Sequence, residues 1–361
     1  MDAKSWPSPV PDQSSLSPAP EVSQAPQPSS APPTPERSPS LDDRRAWLLR
    51  FLRLGGLGVA AAGVGAWLSR RSQRPEEHAP LTLNRNFLVP PDPNFPVMAI
   101  IQGPDPRRLA RRAFEELGGV GRFISRGDVV VIKPNIAWDR APEQAANTNP
   151  DLVAEVVRLV AEAGAAKVIV TDVSCNDPRR AFARSGIAAA ARAAGAEVIL
   201  PEERKFREVN LHGEVLTEWP VFEPFLAADK MINLPIAKHH SLTGVTLGMK
   251  NWFGILGGAR VRLHQRIHES LADLADFMRP TLTLMDAYRV LVRNGPTGGD
   301  LADVALKQTL YASTDPVALD ACVARAYWNL EASAVPYLKL AEDRGLGRRD
   351  FENVPTRIAR L

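Results

Sequence analysis

Cations and imidazoles crowd one short part of this sequence. From Asp229 to Leu256 the chain reads DKMINLPIAKHHSLTGVTLGMKNWFGIL: Lys238, His239 and His240 follow soon after Pro235, and Lys250 and Asn251 lie near the end. Imidazole titrates near neutrality, which makes His239 and His240 candidates for a general acid or base. Adjacent side chains point apart, so one of the two is expected to face a pocket; a solvent-facing loop histidine is the plainer alternative. Lys133, Lys238 and Lys250 have Asp172 and Asp286 as their obvious counter-ions. The excess of positive charge predicts a small anionic ligand, a carboxylate or a phosphate. Structural ion pairs between these lysines and aspartates are the competing explanation.

His264 and His268 stand four residues apart, a metal-ligand spacing if both lie on one helix, with Asp286 as the third ligand to name. That pattern would give a divalent-metal site and a metal-dependent hydrolase. The Glu of the zinc-protease motif is missing between them, and packing at the edge of an apolar stripe accounts for them equally. The loop Asn294-Gly295-Pro296-Thr297-Gly298-Gly299 offers bare backbone amides to an anion. Gly244 to Lys250 is not a phosphate-binding loop, because Met249 occupies the place of the second glycine, and neither G-x-G-x-x-G after a strand nor G-x-S-x-G occurs. Cys175 and Cys322 are too few for an iron–sulfur cluster held by this chain alone, and both are expected to be buried free thiols, with a single disulfide between them in an oxidising compartment as the alternative.

These residues must be carried by something. Short β-branched runs alternate with helical ones, the signature of a layered α/β fold with a mostly parallel sheet flanked by helices. Strands are expected at 97–101, 128–132, 167–171, 196–200, 230–234, 281–286 and 306–312. Asn149-Pro150 opens a helix that ends at Gly164, and Asp177-Pro178 opens another that runs to Gly195. Asp105-Pro106 and Asp315-Pro316 repeat the device, so Asp105, Asp177 and Asp315 are assigned to helix caps. After Ser241 and Thr243 the spacing of Val245, Met249, Trp252, Phe253 and Leu256 predicts a helix with one buried stripe. Ligands in open α/β sheets bind outside the carboxyl ends of the strands. Lys133-Pro134-Asn135, Thr171-Asp172, Asn233 leading to Lys238-His239-His240, Asp286 and Ser313-Thr314 all fall there.

The 361 residues are uneven in charge. Residues 1–43 hold two bases and six acids, residues 44–74 hold seven arginines and no acid, and the body from residue 75 is formally neutral. A neutral body has no electrostatic footprint for nucleic acid. Residues 1–43 are Pro- and Ser-rich, a composition expected to be disordered. Residues 75–96 are expected to be a linker and 97–361 the α/β domain. In 44–74, Asp43-Arg44-Arg45-Ala46-Trp47-Leu48-Leu49 followed by the apolar run Leu54 to Leu68 resembles a twin-arginine export signal. The resemblance implies the twin-arginine translocase as a partner. No clear small-x-small site follows the apolar core, so an uncleaved anchor, a short apolar helix within residues 51–68, on the periplasmic or extracytoplasmic face, is expected over a cleaved signal, with an interfacial helix as the plainer alternative.

Six segments, KPNIAW, TNPDLVAEVVRLVAEAGAAKVIVTD, INLPIAKHH, GVTLGMKNWFGILGG, LTLMDAYRVLVRNGPTGGD and YASTDPVALDACVARAY, resemble the domain-of-unknown-function 362 family over about residues 97–350. The resemblance implies an α/β fold and a shared pocket around Lys133, Asn135, Asp172, Lys238, His239, Lys250, Asn251, Asp286 and Asp315. Iron–sulfur association, met in some members, does not extend to a chain without a cluster motif. The expected function is an exported enzyme acting on a small anionic molecule. His239 or His240, with Asp172 and Asp286, would supply proton transfer, and Lys133, Asn135, Lys238, Lys250 and Asn251 would hold the anion. A periplasmic ligand-binding or redox-accessory protein is the alternative from another class.

Overall fold

The computed structural model describes residues 80–83 and 87–361. The Pro/Ser-rich segment 1–43, the twin-arginine-like segment 44–74 and the apolar run within 51–68 lie outside the described residues. Among the described residues no helix is long and apolar enough to cross a membrane.

Among the described residues thirteen strands and eight α-helices follow one another: β1 Leu81–Thr82, β2 Met98–Gln102, α1 Pro106–Glu116, β3 Val129–Pro134, α2 Pro150–Glu162, β4 Lys167–Val170, α3 Pro178–Arg184, α4 Ile187–Ala193, β5 Glu197–Val198, β6 Phe206–Asn210, β7 Glu218–Phe222, α5 Glu223–Leu226, β8 Lys230–Leu234, β9 Ile236–His240, β10 Gly244–Thr246, α6 Ile267–Phe277, β11 Leu282–Leu291, β12 Val304–Ser313, α7 Pro316–Trp328, α8 Pro336–Asp343 and β13 Thr356–Arg360. The main sheet runs β13-β2-β12-β11-β8-β3-β4-β5, with β9 beside β11 and β10 beside β9; β1, β6 and β7 form a small second sheet. Within the main path only β12 runs against its neighbours, so the sheet is mostly parallel, as expected.

The central strands are apolar throughout because both faces are covered. Val130 and Ile132 of β3 enter one core with α1, α2 and α4, whereas Val131 enters another with Trp252, Leu256 and Leu274. In β2, Ala99 and Ile101 join the first core, and Met98 and Ile100 join a third built on α7. The stretch expected as a linker contributes too: Leu81–Thr82 pairs with β6, and Phe87 is buried with its N–H on Arg279 O.

All four Asx-Pro pairs start helices. Asp105, Asn149, Asp177 and Asp315 each accept a backbone N–H of the first turn, and Pro stands at N1 of each helix. The helix expected from Asp177 to Gly195 is two helices, because Gly186 takes a left-handed φ of 73° between α3 and α4.

The helix expected after Ser241 does not form. β9 continues through His240, turns over Ser241, Leu242 and Thr243, and returns as β10 with Gly244 opposite His240 and Thr246 opposite Lys238. A short 3-10 segment, Lys250–Ile255, follows. Gly244, Gly248 and Gly254 weaken a helix at this point, and the β-branched Val245 and Thr246 suit the hairpin. The expected stripe is divided accordingly: Val245 and Met249 pack in the α7 core, Trp252 and Leu256 in the core beneath the small sheet.

Candidate functional site

Strands β4, β3, β8 and β11 are parallel neighbours, so their carboxyl ends share one edge of the sheet. On that edge lies a cavity of about 200 Å³, lined among others by Lys133, Asn135, Trp138, Asp172, Cys175, Lys238, His240, Thr246, Lys250, Asn251, Phe253, Arg260, His264 and Pro296. Eight of the eleven residues expected to act are here, namely Lys133, Asn135, Asp172, Lys238, His240, Lys250 and Asn251, with His264 at the exposed mouth.

Counting hydrogen-bond valences separates the framework from the groups that remain open. Lys133 is fully buried; its Nζ donates to Asn251 Oδ1 (3.1 Å) and Pro134 O (3.1 Å) and forms an ion pair with Asp172, 2.7 Å from Oδ1. Burial pulls the Lys133 ammonium down, and the Asp172 carboxylate opposes that pull. The other Asp172 oxygen accepts from Ile136 N at 2.6 Å. Asn251 accepts from Lys133 and Asn135 and donates to Lys133 O and Asn233 Oδ1, so both ends of its amide are occupied. Lys133, Asp172 and Asn251, tied to one another, are therefore the floor that fixes the cavity, where sequence reasoning expected Lys133 and Asn251 to hold the ligand.

The open groups stand above this floor. Lys238 Nζ reaches Asn135 Oδ1 (3.0 Å) and Ala146 O (2.6 Å), leaving one hydrogen, and burial lowers its pKa to about 7. Lys250 is 8% exposed; its Nζ lies 4.6 Å from the centroid of the Phe253 ring and has no hydrogen bond or ion pair among the described residues. Desolvation brings Lys250 down to about 8, against the pull of Cys175 and with Arg260 adding like charge. Thr246 Oγ1 and Trp138 Nε1 are buried without a partner among the described residues. Arg260 is spent on the scaffold: its guanidinium donates to Val173 O (2.7 Å), Ser174 O (2.6 Å) and Phe253 O (3.3 Å), clasping the loop after β4 to the 3-10 segment.

Of the two adjacent histidines, His240 lines the cavity and His239 does not. His239 Nδ1 accepts from Gly295 N (3.2 Å), which also engages an amide of the glycine loop that might have cradled an anion. His240 Nδ1 accepts from Leu242 N (3.1 Å) and Thr243 N (3.4 Å) in the hairpin turn, so the ring proton sits on Nε2. Burial and the nearby lysines drop its pKa to about 3. A general base is thus the wrong role for His240; it is a neutral N–H donor. His264 has the opposite tautomer. Its Nδ1 faces Val261 O at 3.3 Å and must be the donor there, which leaves a lone pair on Nε2. Desolvation lowers its pKa, and its ring meets Phe253 edge-on at 5.8 Å.

The proposed metal set does not assemble. His264 belongs to the 3-10 segment Arg260–Arg266 and His268 to the first turn of α6, where it stacks on Tyr337 at 6.3 Å. Asp286 is not in the cavity: its oxygens accept from Asn149 N (2.7 Å) and Tyr288 N (2.9 Å), and burial raises it to about 6. Among the described residues no three His, Cys, Asp or Glu side chains are grouped to hold a metal. Asp315 caps α7 and also accepts from Arg348 N, outside the cavity.

Sequence reasoning missed Trp138, Thr246, Arg260 and His264's true place, and it expected Cys175 to be buried. Cys175 is exposed and lines the cavity, whereas Cys322 is buried; both are free. It also missed Asp320, whose two oxygens accept from Gly248 N (2.8 Å) and Met249 N (3.0 Å) and so fix the turn that delivers Lys250.

The fold and the edge-of-sheet cavity define an α/β protein whose site is built on the carboxyl ends of parallel strands. A family model described as "Domain of unknown function (DUF362)" matches residues 130–325, and the chain belongs to that family. It is 29% identical over 251 residues to the thylakoid-associated protein sll1697 of Synechocystis sp. (strain ATCC 27184 / PCC 6803 / Kazusa), covering 65% of this chain and 74% of the relative. The lactate racemase apoprotein from Thermoanaerobacterium thermosaccharolyticum is a distant structural neighbour, with a TM-score of 0.41 and 12% identity over 62% of this chain and 56% of the other.

Proposed function

We propose that the protein is an enzyme acting on a small anionic molecule, with Lys250 at the centre of the site. One observation carries this reading: apart from His264 Nε2, the amphoteric Thr246 hydroxyl, the exposed Cys175 thiol and Asp172 Oδ1, whose contact is the Lys133 ammonium, the polar groups that the scaffold leaves open in the cavity are donors. They are Lys250 Nζ, the remaining hydrogen of Lys238, His240 Nε2–H and Trp138 Nε1–H. Donors without acceptors call for an oxygen-rich, negatively charged ligand. Lys250, near neutrality in its proton affinity, is the acid or base, and His264 Nε2 is an acceptor at the mouth. His240 holds or polarises an oxygen.

The arginine pair and apolar run in 44–74 support an extracytoplasmic site tethered to a membrane, in keeping with the membrane association in the name of the cyanobacterial relative. Native mass spectrometry of protein purified from its own host tests the proposal. A small anion released from the wild type, and absent from Lys250→Met, supports it. An apolar or cationic occupant would overturn it.

A further inference from the structure

Lys250 is unusual for a lysine whose task is to hold an anion. Its ammonium end is largely removed from water, rests against the Phe253 ring, and has Lys238 and Arg260 as cationic neighbours, with the Cys175 sulfur rather than a carboxylate opposing them. An anion clamp gains by staying charged. Desolvation beside other cations brings the neutral amine, the form in which lysine attacks carbonyl carbon, within reach just above neutrality, while below about pH 8 the ammonium still holds an anion. Around it stand donors suited to a carbonyl oxygen, His240 Nε2–H and Trp138 Nε1–H, and others suited to a carboxylate, Lys238 and the unpartnered Thr246 hydroxyl. A cavity of about 200 Å³ is smaller than a drug-sized site and admits only a short molecule.

We propose that Lys250 condenses with the carbonyl of a short 2-oxo acid to form an imine inside this cavity, an inference that rests on the anion-binding reading above. The Nζ lone pair forms a C–N bond to the carbonyl carbon while the C=O π pair moves to oxygen, which takes a proton. The nitrogen gives up one proton, for which His264 Nε2 is the open acceptor. The resulting carbinolamine takes a second proton on its hydroxyl and loses it as water, leaving a protonated C=N whose remaining N–H proton is then released to give the imine, so the two protons taken up by oxygen match the two given up by nitrogen. Amine and carbonyl become imine and water, with no net oxidation.

The test uses the full chain, dialysed and held at about pH 8, where the Lys250 amine is substantially neutral. Glyoxylate, pyruvate and 2-oxoglutarate are added separately with cyanoborohydride, and the melting temperature with each acid is recorded without reductant. The expected result is one stable adduct on Lys250, its mass increase equal to the oxo acid less one oxygen, and none in Lys250→Arg, which keeps the charge. Labelling that persists in Lys250→Arg, or no adduct from any of the acids, overturns the inference. If no adduct forms but the acids still raise the melting temperature, the covalent step fails while the anion reading stands. If they neither react nor stabilise, the anion reading fails with it.

Discussion

Gly254 turns its bare Cα toward the buried carboxylate of Asp172: a Cβ at this position would overlap Asp172 Oδ1 and stand 2.7 Å from Lys133 Nζ. The floor of the cavity therefore depends on a side chain that is absent. Gly254→Ala should push the Lys133–Asp172 pair apart and leave buried charge uncompensated, at a cost of about 3 kcal/mol. Denaturant unfolding checks this; a loss under about 0.5 kcal/mol would show that the floor yields easily.

Asp320 anchors the turn before Lys250 through two backbone amides and lies near Tyr337 OH (3.5 Å). Burial pushes its pKa up from an ordinary 3.8 to about 7, against the pull of those hydrogen bonds. Because the folded state keeps this proton longer than the unfolded chain, the Asp320 contribution is most favourable below about pH 4 and is lost as pH rises toward 7. Asp320→Asn, which cannot ionise, should gain on the wild type across that window by at most about 1.4 kcal/mol per pH unit. Parallel urea titrations at several pH values read the slope; a pH-independent difference would assign Asp320 an ordinary proton affinity.

Cys175 and Cys322 should differ sharply toward alkylation. Cys175 is exposed at the cavity, and Cys322 is buried in α7, where desolvation pushes its thiol well above the usual range. Iodoacetamide should modify one thiol in the folded protein and both after denaturation, with phosphate or a small carboxylate slowing the first reaction. Equal reactivity of the two in the native state would contradict the placement of Cys175.

Much of the fold was legible in sequence because its signals are local. Each Asx-Pro pair carries its own cap and its own fixed φ, and all of the expected strands have counterparts in the main sheet. The region 241–256 was misjudged because apolar residues at helical spacing also fit a hairpin followed by a 3-10 turn, and only contacts with two separate cores decide between them. The site was legible as a set of strand ends. What each member does was not, because that depends on which valences distant partners fill: Asn251 on Lys133, Lys238 on Ala146, His240 on its own turn. Asp286 was misplaced for the same reason, its two oxygens being taken up by Asn149 and Tyr288.

Calorimetric binding of small carboxylates and inorganic phosphate to the wild type and Lys250→Met, followed from pH 6 to 10, tests the Lys250 anion site most directly. The wild type should bind at least one of them, with affinity falling as Lys238 (about 7) and Lys250 (about 8) lose their protons, by up to tenfold per pH unit for each group above its value. Lys250→Met should bind at least about tenfold more weakly at pH 7. It should also unfold no more easily, because removing an unpaired buried ammonium relieves a desolvation cost that is fully present below about pH 8 and fades as pH approaches 10.5. Binding unchanged by Lys250→Met, or by pH across this range, would contradict the account.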